Sequence, residues 1–136
     1  MSGGCDGIRT QDEVHRRIRA VFGKWDHVLF EGMTVTTSVG TYFKFLRDLA
    51  PGDHLFAFLH PPVDVCVERV LGRRAARGAD VTKFDPEGVV RHHAFVTRAI
   101  ERAKAFGAPY MVLSWKRPLA DLNAALGFNA RSKRVA

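Results

Sequence analysis

The stretch "FAFLHPPVDVCVERVLGRRAARG", residues 56 to 78, contains the local signals that decide the fold. It begins with a short apolar run, turns at two prolines, and continues with helical spacing until Gly78. An apolar run without alternation is typical of a strand covered on both faces, and the first helical turn tolerates proline because its N–H has no partner there. The stretch therefore predicts a buried strand that leads into a helix.

Two other apolar runs resemble the first. They are "HVLF" at 27 to 30 and "YMVLSW" at 110 to 115. The first run, with the two residues before it, is "HLFAFL" at 54 to 59. Helical patterns separate the runs, starting with a helix from about Gln11 to Phe22 that Thr10 can cap. The resulting order is helix, strand, helix, strand, helix, helix, strand, helix. It predicts a three-layer α/β architecture with parallel strands joined by right-handed crossovers.

Length and composition indicate one domain that includes all of residues 1 to 136, because 136 residues with 46% hydrophobic content suffice for one core. We expect a flexible start over about residues 1–9 and a flexible tail over about 128–136. No apolar run approaches the roughly 18 residues that span a bilayer, so we expect no membrane partner and a cytoplasmic location. Cys5 and Cys66 lack the spacing of metal ligands, so we expect no metal site formed by cysteines.

The charge balance is the first indication of function. Lys and Arg number 21 against 14 Asp and Glu, which gives a net charge of +7. This balance favours contact with nucleic acid or nucleotide phosphates, although a solvated basic surface explains it equally well. Six phenylalanines lie in apolar patterns and are expected in the core: Phe43, Phe45, Phe56, Phe58, Phe95 and Phe106.

Glu31 is a candidate site residue because it follows the apolar run at 27 to 30 directly and precedes Gly32. Ligands of open parallel sheets bind beyond the carboxyl ends of the strands. A glycine beside the carboxylate lets a ligand approach the backbone closely. Capping of the next helix, or a pair with a neighbouring arginine, explains Glu31 equally well.

Four arginines form the second candidate feature, at the end of the helix that follows Pro62. At about 100° per residue, Arg69, Arg73 and Arg77 share a sector of about 80°, whereas Arg74 points toward the apolar side. Guanidinium groups bind phosphate through planar, bidentate hydrogen bonds. A solvated helix end with a favourable dipole interaction is the structural alternative.

Together these stretches resemble small P-loop kinases over roughly residues 10 to 127. The features shared with that family are a strand ending in an acid and glycine, a proline turn before a helix with Cys66 and Arg69 in a Cys-x-x-Arg pattern, and an Arg-rich lid. Within the superfamily, "SGGCDGIRTQDEVHRRI" and "HVLFEGM" are most similar to phage kinases that phosphorylate 5-hydroxymethyluracil in DNA. The resemblance implies a P-loop NTPase-like (Rossmann-type) fold, a DNA substrate and, for a phage protein, the host cytoplasm.

The sequence departs from the family at one essential motif. P-loop kinases cradle phosphates with GxxxxGK[ST], and this sequence contains no such segment. The resemblance therefore implies an N-terminally incomplete fold, with ATP and Mg²⁺ held through a phosphate-binding loop that these residues do not supply. We accordingly expect little or no phosphoryl transfer from these residues alone.

The resemblance also assigns roles to individual residues. It implies that Glu31 orients or deprotonates the acceptor hydroxyl, or holds a water bound to Mg²⁺, while Arg73 and Arg77 offset charge on the transferred phosphoryl group. Arg69, Arg74 and Lys83 would bind nucleotide phosphate. Two other functions stay open: a kinase of nucleosides or other small hydroxylated molecules, and a non-catalytic basic module that binds nucleic acid.

Overall fold

The structure, a computed structural model, describes residues 10–127; the predictions for 1–9 and 128–136 concern residues outside this range. The elements are α1 (Gln11–Val21), α2 (Met33–Thr37), α3 (Val39–Leu49), β1 (Phe56–Leu59), α4 (Val63–Ala76), α5 (Glu87–Ala105), β2 (Tyr110–Leu113) and α6 (Pro118–Ala125). Over the described part of the chain, no helix has both the length and the apolar character needed to cross a bilayer.

The sheet consists of β1 and β2, which pair in parallel with Phe56 opposite Tyr110 and Leu59 opposite Leu113. The connection between them contains α4 and α5, as a parallel pair requires. The predicted mixed α/β class and two of the three predicted strands are thereby confirmed. Within residues 10–127 the sheet has these two strands and helices beside them, which is smaller than the three-layer sheet that the sequence predicts.

The prediction of a buried strand at residues 27 to 30 is wrong. These residues form no strand, and Val28 and Leu29 are 41% and 73% exposed. Phe30 packs against the core, with its ring centroid 6.0 Å from that of Tyr42. An apolar run becomes a strand only when a neighbouring strand satisfies its backbone, and in the described residues β1 pairs with β2 instead.

The helix ends follow the sequence signals to within one residue. Thr10 caps α1 through its hydroxyl oxygen, which accepts a hydrogen bond from the Glu13 N–H at 3.3 Å. Pro86 occupies the N-cap of α5, and the Asp85 carboxylate accepts a hydrogen bond from the Glu87 N–H at 2.9 Å. Gly78, with φ of +73°, ends the α4 segment as predicted.

The core lies between α1, α3, α5 and one face of β1. It contains Val14, Ile18, Val39, Tyr42, Phe45, Phe56, Phe58, Ala99, Ala103 and Ala108. Along β1, buried Phe56 and Phe58 alternate with exposed Ala57 and Leu59, so the prediction that both faces are buried is wrong for the described residues. The small side chains of Ala99 and Ala103 let α5 pack closely on this core.

Candidate active site

A cavity of about 160 Å³ lies at the carboxyl end of β1. This is the edge of a parallel sheet at which ligands characteristically bind. Four segments form the cavity: the residues after β1, the first turns of α4, one face of α5 and the start of α2. Its lining residues are Met33, Leu59, His60, Pro61, Cys66, Val89, His92, His93 and Val96.

Two histidines in the cavity wall are held by each other and by a threonine. The rings of His60 and His93 stack with centroids 4.0 Å apart. His93 Nε2 donates to the Pro61 carbonyl at 3.0 Å, and the Thr97 hydroxyl donates to the His93 carbonyl at 3.1 Å. The same hydroxyl oxygen lies 3.0 Å from His60 Nε2 and can accept a hydrogen bond from its N–H. This arrangement makes Nδ1 of each neutral ring the acceptor atom.

Burial lowers the pKa of His60 below its ordinary value, and the adjacent His93 lowers it further. Two stacked imidazoles repel each other when both are protonated, so the neutral form fits this packing. The pKa of His15 is also lowered, first by burial and then by Arg19. The His15 ring stacks on Phe45 at a centroid distance of 4.0 Å, which explains its loss of contact with water.

We expect the free energy of unfolding to decrease as the pH falls from 7.5 to 5. His60 and His15 take up protons near pH 6.5 in the unfolded chain but only at lower pH in the folded protein, so protons favour unfolding in this window. Urea denaturation at both pH values measures the effect. His60→Gln should show a shallower pH dependence than the wild type, and an identical dependence would contradict this assignment.

Glu31 lies close in sequence to the cavity wall. It follows residues 27 to 30, which form neither helix nor strand, and precedes Gly32, the N-cap of α2, so the cavity residue Met33 is two positions away. Glu31 is exposed. Glu31 thus lies two residues before a lining residue, Met33, and is not itself among the residues that line the cavity.

The predicted arginines lie at the opposite end of α4. Arg73 and Arg74 are in its last turn, and Arg77 is its C-cap residue. Because an α-helix rises about 1.5 Å per residue, Arg73 lies about 10 Å along the axis from Cys66, the α4 residue in the cavity wall. All three arginines are exposed, and in residues 10–127 none forms an ion pair with a carboxylate.

The loop after α4 joins Lys83 to this arginine cluster. Asp80 accepts hydrogen bonds from the N–H and the hydroxyl of Thr82, at 2.9 and 2.6 Å, and these bonds lower the pKa of Asp80. The loop then returns to α4, where the Arg74 guanidinium lies 5.1 Å from the centre of the Phe84 ring. Lys83 is exposed in this turn, immediately before Phe84.

Arg69 is placed differently from the other arginines. Its guanidinium lies 5.5 Å from the centre of the Trp115 ring, and Trp115 follows β2. A cation–π contact therefore holds Arg69 near the carboxyl end of the sheet, because the face of an aromatic ring attracts a guanidinium group. Lys116 also approaches this ring, at 5.3 Å.

The sequence-based site lacked the residues that hold the cavity together, His60, His93 and Thr97. His60 carries a usable signal, since it directly follows an apolar run that forms a strand. His93 and Thr97 lie four residues apart on one face of α5. Nothing local indicates that this face meets His60, because the contact joins segments 33 and 37 residues apart.

Parallel pairing of β1 and β2, helices in the connection between them and a cavity at the carboxyl end of β1 define the α/β class, in which ligands characteristically bind at this edge of the sheet. Comparison with known proteins indicates a more specific relationship within the α/β class. A 5-hmdU DNA kinase of Pseudomonas phage M6 is 27% identical over 128 residues, which cover 92% of this chain and 64% of the relative. A 5-hmdU DNA kinase of Pseudomonas phage PaMx11 is 26% identical over 107 residues, which cover 79% of this chain and 56% of the relative.

Both matches support a relationship between this chain and phage kinases. The chain spans less than two thirds of the length of each relative, at 64% and 56%. No protein-family profile and no solved structure matches the chain. The two relatives are thus similar over most of this chain, whereas this chain corresponds to only part of each of them.

Proposed function

We propose that this chain forms part of an ATP-dependent kinase that phosphorylates 5-hydroxymethyluracil in phage DNA. The observation that carries the proposal is that two phage proteins named 5-hmdU DNA kinase match most of the chain. The parallel pairing of β1 and β2 is compatible with a three-layer P-loop fold in the complete protein. A substrate of this kind would place the protein in the cytoplasm of the phage's host.

The acceptor in this reaction is the hydroxymethyl group on the base. It replaces the methyl group of thymine, which lies in the major groove of DNA, so a protein can reach it from that groove. Glu31 would accept the hydroxyl proton or orient the hydroxyl toward the phosphoryl group. Positioning of this kind contributes most of the catalysis in phosphoryl transfer.

The donor ATP and its Mg²⁺ fit the described residues only in part. The exposed, unpaired guanidinium groups at the end of α4 suit a phosphate clamp formed by Arg73, Arg74 and Arg77, with Arg69 and Lys83 as additional cations. Within residues 10–127 no cluster of three or more His, Cys, Asp or Glu could hold a metal, although magnesium nucleotides need only one or two carboxylates. The sequence contains no GxxxxGK[ST] cradle.

Binding to modified DNA tests the proposal without requiring the missing cradle. We expect a duplex with 5-hydroxymethyluracil to bind several-fold more tightly than the same duplex with thymine, because a hydrogen bond to a charged group contributes about 1.5 to 3 kcal/mol and less when exposed. Fluorescence anisotropy measures both affinities. Glu31→Gln should reduce the preference for the modified duplex. Equal binding of the two duplexes by the wild-type chain would reject the proposed function.

A non-catalytic DNA-binding module is the second candidate, favoured by the net charge of +7. In that case both duplexes bind alike and ATP does not bind. A kinase of free nucleosides is less favoured because the 160 Å³ cavity is smaller than the roughly 300 to 1,000 Å³ of typical small-molecule pockets.

A further inference from the structure

A second cavity of about 80 Å³ lies between α2 and α5, away from the predicted arginine cluster. Its walls are formed by two threonines from the end of α2 and by a basic and aromatic face of α5. The lining residues are Thr36, Thr37, Phe95, Arg98, Ala99 and Arg102. The volume is far below the roughly 300 to 1,000 Å³ of small-molecule sites, so the cavity suits a single small group.

The two guanidinium groups in this cavity have no carboxylate to neutralise them. Arg98 and Arg102 lie one turn apart on α5, where like charges repel, and neither forms an ion pair within the described range 10–127. Glu101 follows Arg98 by three residues and adjoins Arg102 in sequence, but it forms no ion pair with either arginine in this range. The cavity is therefore electropositive and prefers an anion.

The threonines make the α2 wall compatible with an anion. The Thr36 hydroxyl has no hydrogen-bond partner among the described residues, so it is available as a donor. Carbonyl groups at the end of α2 would repel an anion, but Ser38 N–H donates to the carbonyls of Thr34 and Val35 at 3.1 and 3.4 Å. The Thr37 hydroxyl also donates to the Thr34 carbonyl, at 3.1 Å.

An exposed aromatic ring lies beside the cations. Phe95 is 42% exposed, which contradicts its predicted place in the core, and the Arg98 guanidinium lies 4.6 Å from the centre of its ring. The spacing of Arg91, Phe95, Arg98 and Arg102 places all four within about 60° on α5. A stripe of cations with an aromatic ring is the pattern that follows a nucleic-acid backbone and stacks on its bases.

We propose that Arg98, Arg102 and Thr36 bind a backbone phosphate of the DNA substrate. The proposal rests on the proposed function, since it takes DNA as the substrate. His93, in the wall of the cavity at the end of β1, precedes Arg98 by about 8 Å along the axis of α5. A DNA strand held at this phosphate site can therefore continue along α5 to the candidate active site. The phosphate site would orient the DNA, while ATP would bind at the arginines of α4.

Salt-dependent binding of an unmodified thymine duplex tests the site. We expect Arg98→Ala/Arg102→Ala to weaken binding about tenfold or more at 50 mM salt and to reduce the slope of log affinity against log salt by about 1, because loss of one phosphate contact removes about one released counterion. Arg16→Ala/Lys24→Ala, which removes two exposed cations elsewhere, is the matched control. Arg98→Lys/Arg102→Lys should retain the slope.

Three results would overturn the site: affinity and slope equal to those of the control, an unchanged slope in Arg98→Ala/Arg102→Ala, or lost ATP binding with DNA binding intact. Thr36→Val should weaken binding at every salt concentration without changing the slope, since it removes a donor but no charge. The duplex has no hydroxymethyluracil, so these results are independent of the preference that tests the proposed function. Circular dichroism of each variant checks that it is folded.

Discussion

Replacement of Tyr42 by alanine is expected to lower the free energy of unfolding by about 3 to 5 kcal/mol, the range for large aromatic side chains removed from cores. Tyr42 is 1% exposed, and its ring contacts His15 and Phe30 at centroid distances of 5.4 and 6.0 Å. Domains of this size have about 5 to 15 kcal/mol of total stability, so the variant should unfold at a much lower urea concentration.

Tyr42→Phe separates packing from hydrogen bonding in this test. The Tyr42 hydroxyl donates to the Thr34 hydroxyl oxygen at 3.3 Å, and loss of one such bond costs about 0.5 to 1.5 kcal/mol. Trp25→Ala is the control for an exposed aromatic, since Trp25 is 56% exposed. A loss below about 1 kcal/mol in Tyr42→Ala, no larger than that of an average substitution, would show that α3 does not form the centre of the core.

The second large effect is expected on nucleotide binding. Arg73→Ala/Arg77→Ala should weaken binding of ATP with Mg²⁺ by about tenfold or more, because hydrogen bonds from charged donors contribute about 1.5 to 3 kcal/mol each and exposed ones lie at the low end. Both arginines are exposed and form no ion pair within residues 10–127, so their removal should leave the core intact. Isothermal titration calorimetry measures the change.

Arg16→Ala/Lys24→Ala again removes the same charge from exposed positions outside α4, and it should leave ATP affinity within about twofold if nonspecific attraction is screened. Equal losses in the two double variants would indicate a general charge effect instead of a phosphate clamp. Complete lack of ATP binding by the wild-type chain would favour the non-catalytic DNA-binding module.

The local part of the fold was predictable because its signals act over a few residues. The Thr10 cap, the helix terminator Gly78 and the strand at Phe56–Leu59 each follow from neighbouring residues. The run at 27 to 30 was not predictable, because its apolar residues also suit an extended segment that packs one side chain, Phe30, on the core.

The same distinction applies to the candidate sites. Glu31 and the α4 arginines are recognisable from sequence as charged residues at the ends of elements, although their catalytic roles remain predictions. The stacking of His60 on His93 and the meeting of Thr36 with Arg98 could not be predicted, because each joins residues on separate elements.

The sequence by itself determined the positive charge, the positions of most helices, two strands and the lack of a GxxxxGK[ST] segment. Only the tertiary structure decided that one face of β1 is covered, that Phe95 is exposed beside Arg98, and that a cavity forms at the end of β1. Capping, turns and helical spacing are local interactions within a few residues. Burial and cavities depend on which distant surfaces pack together, and a pattern in one segment does not specify its partner.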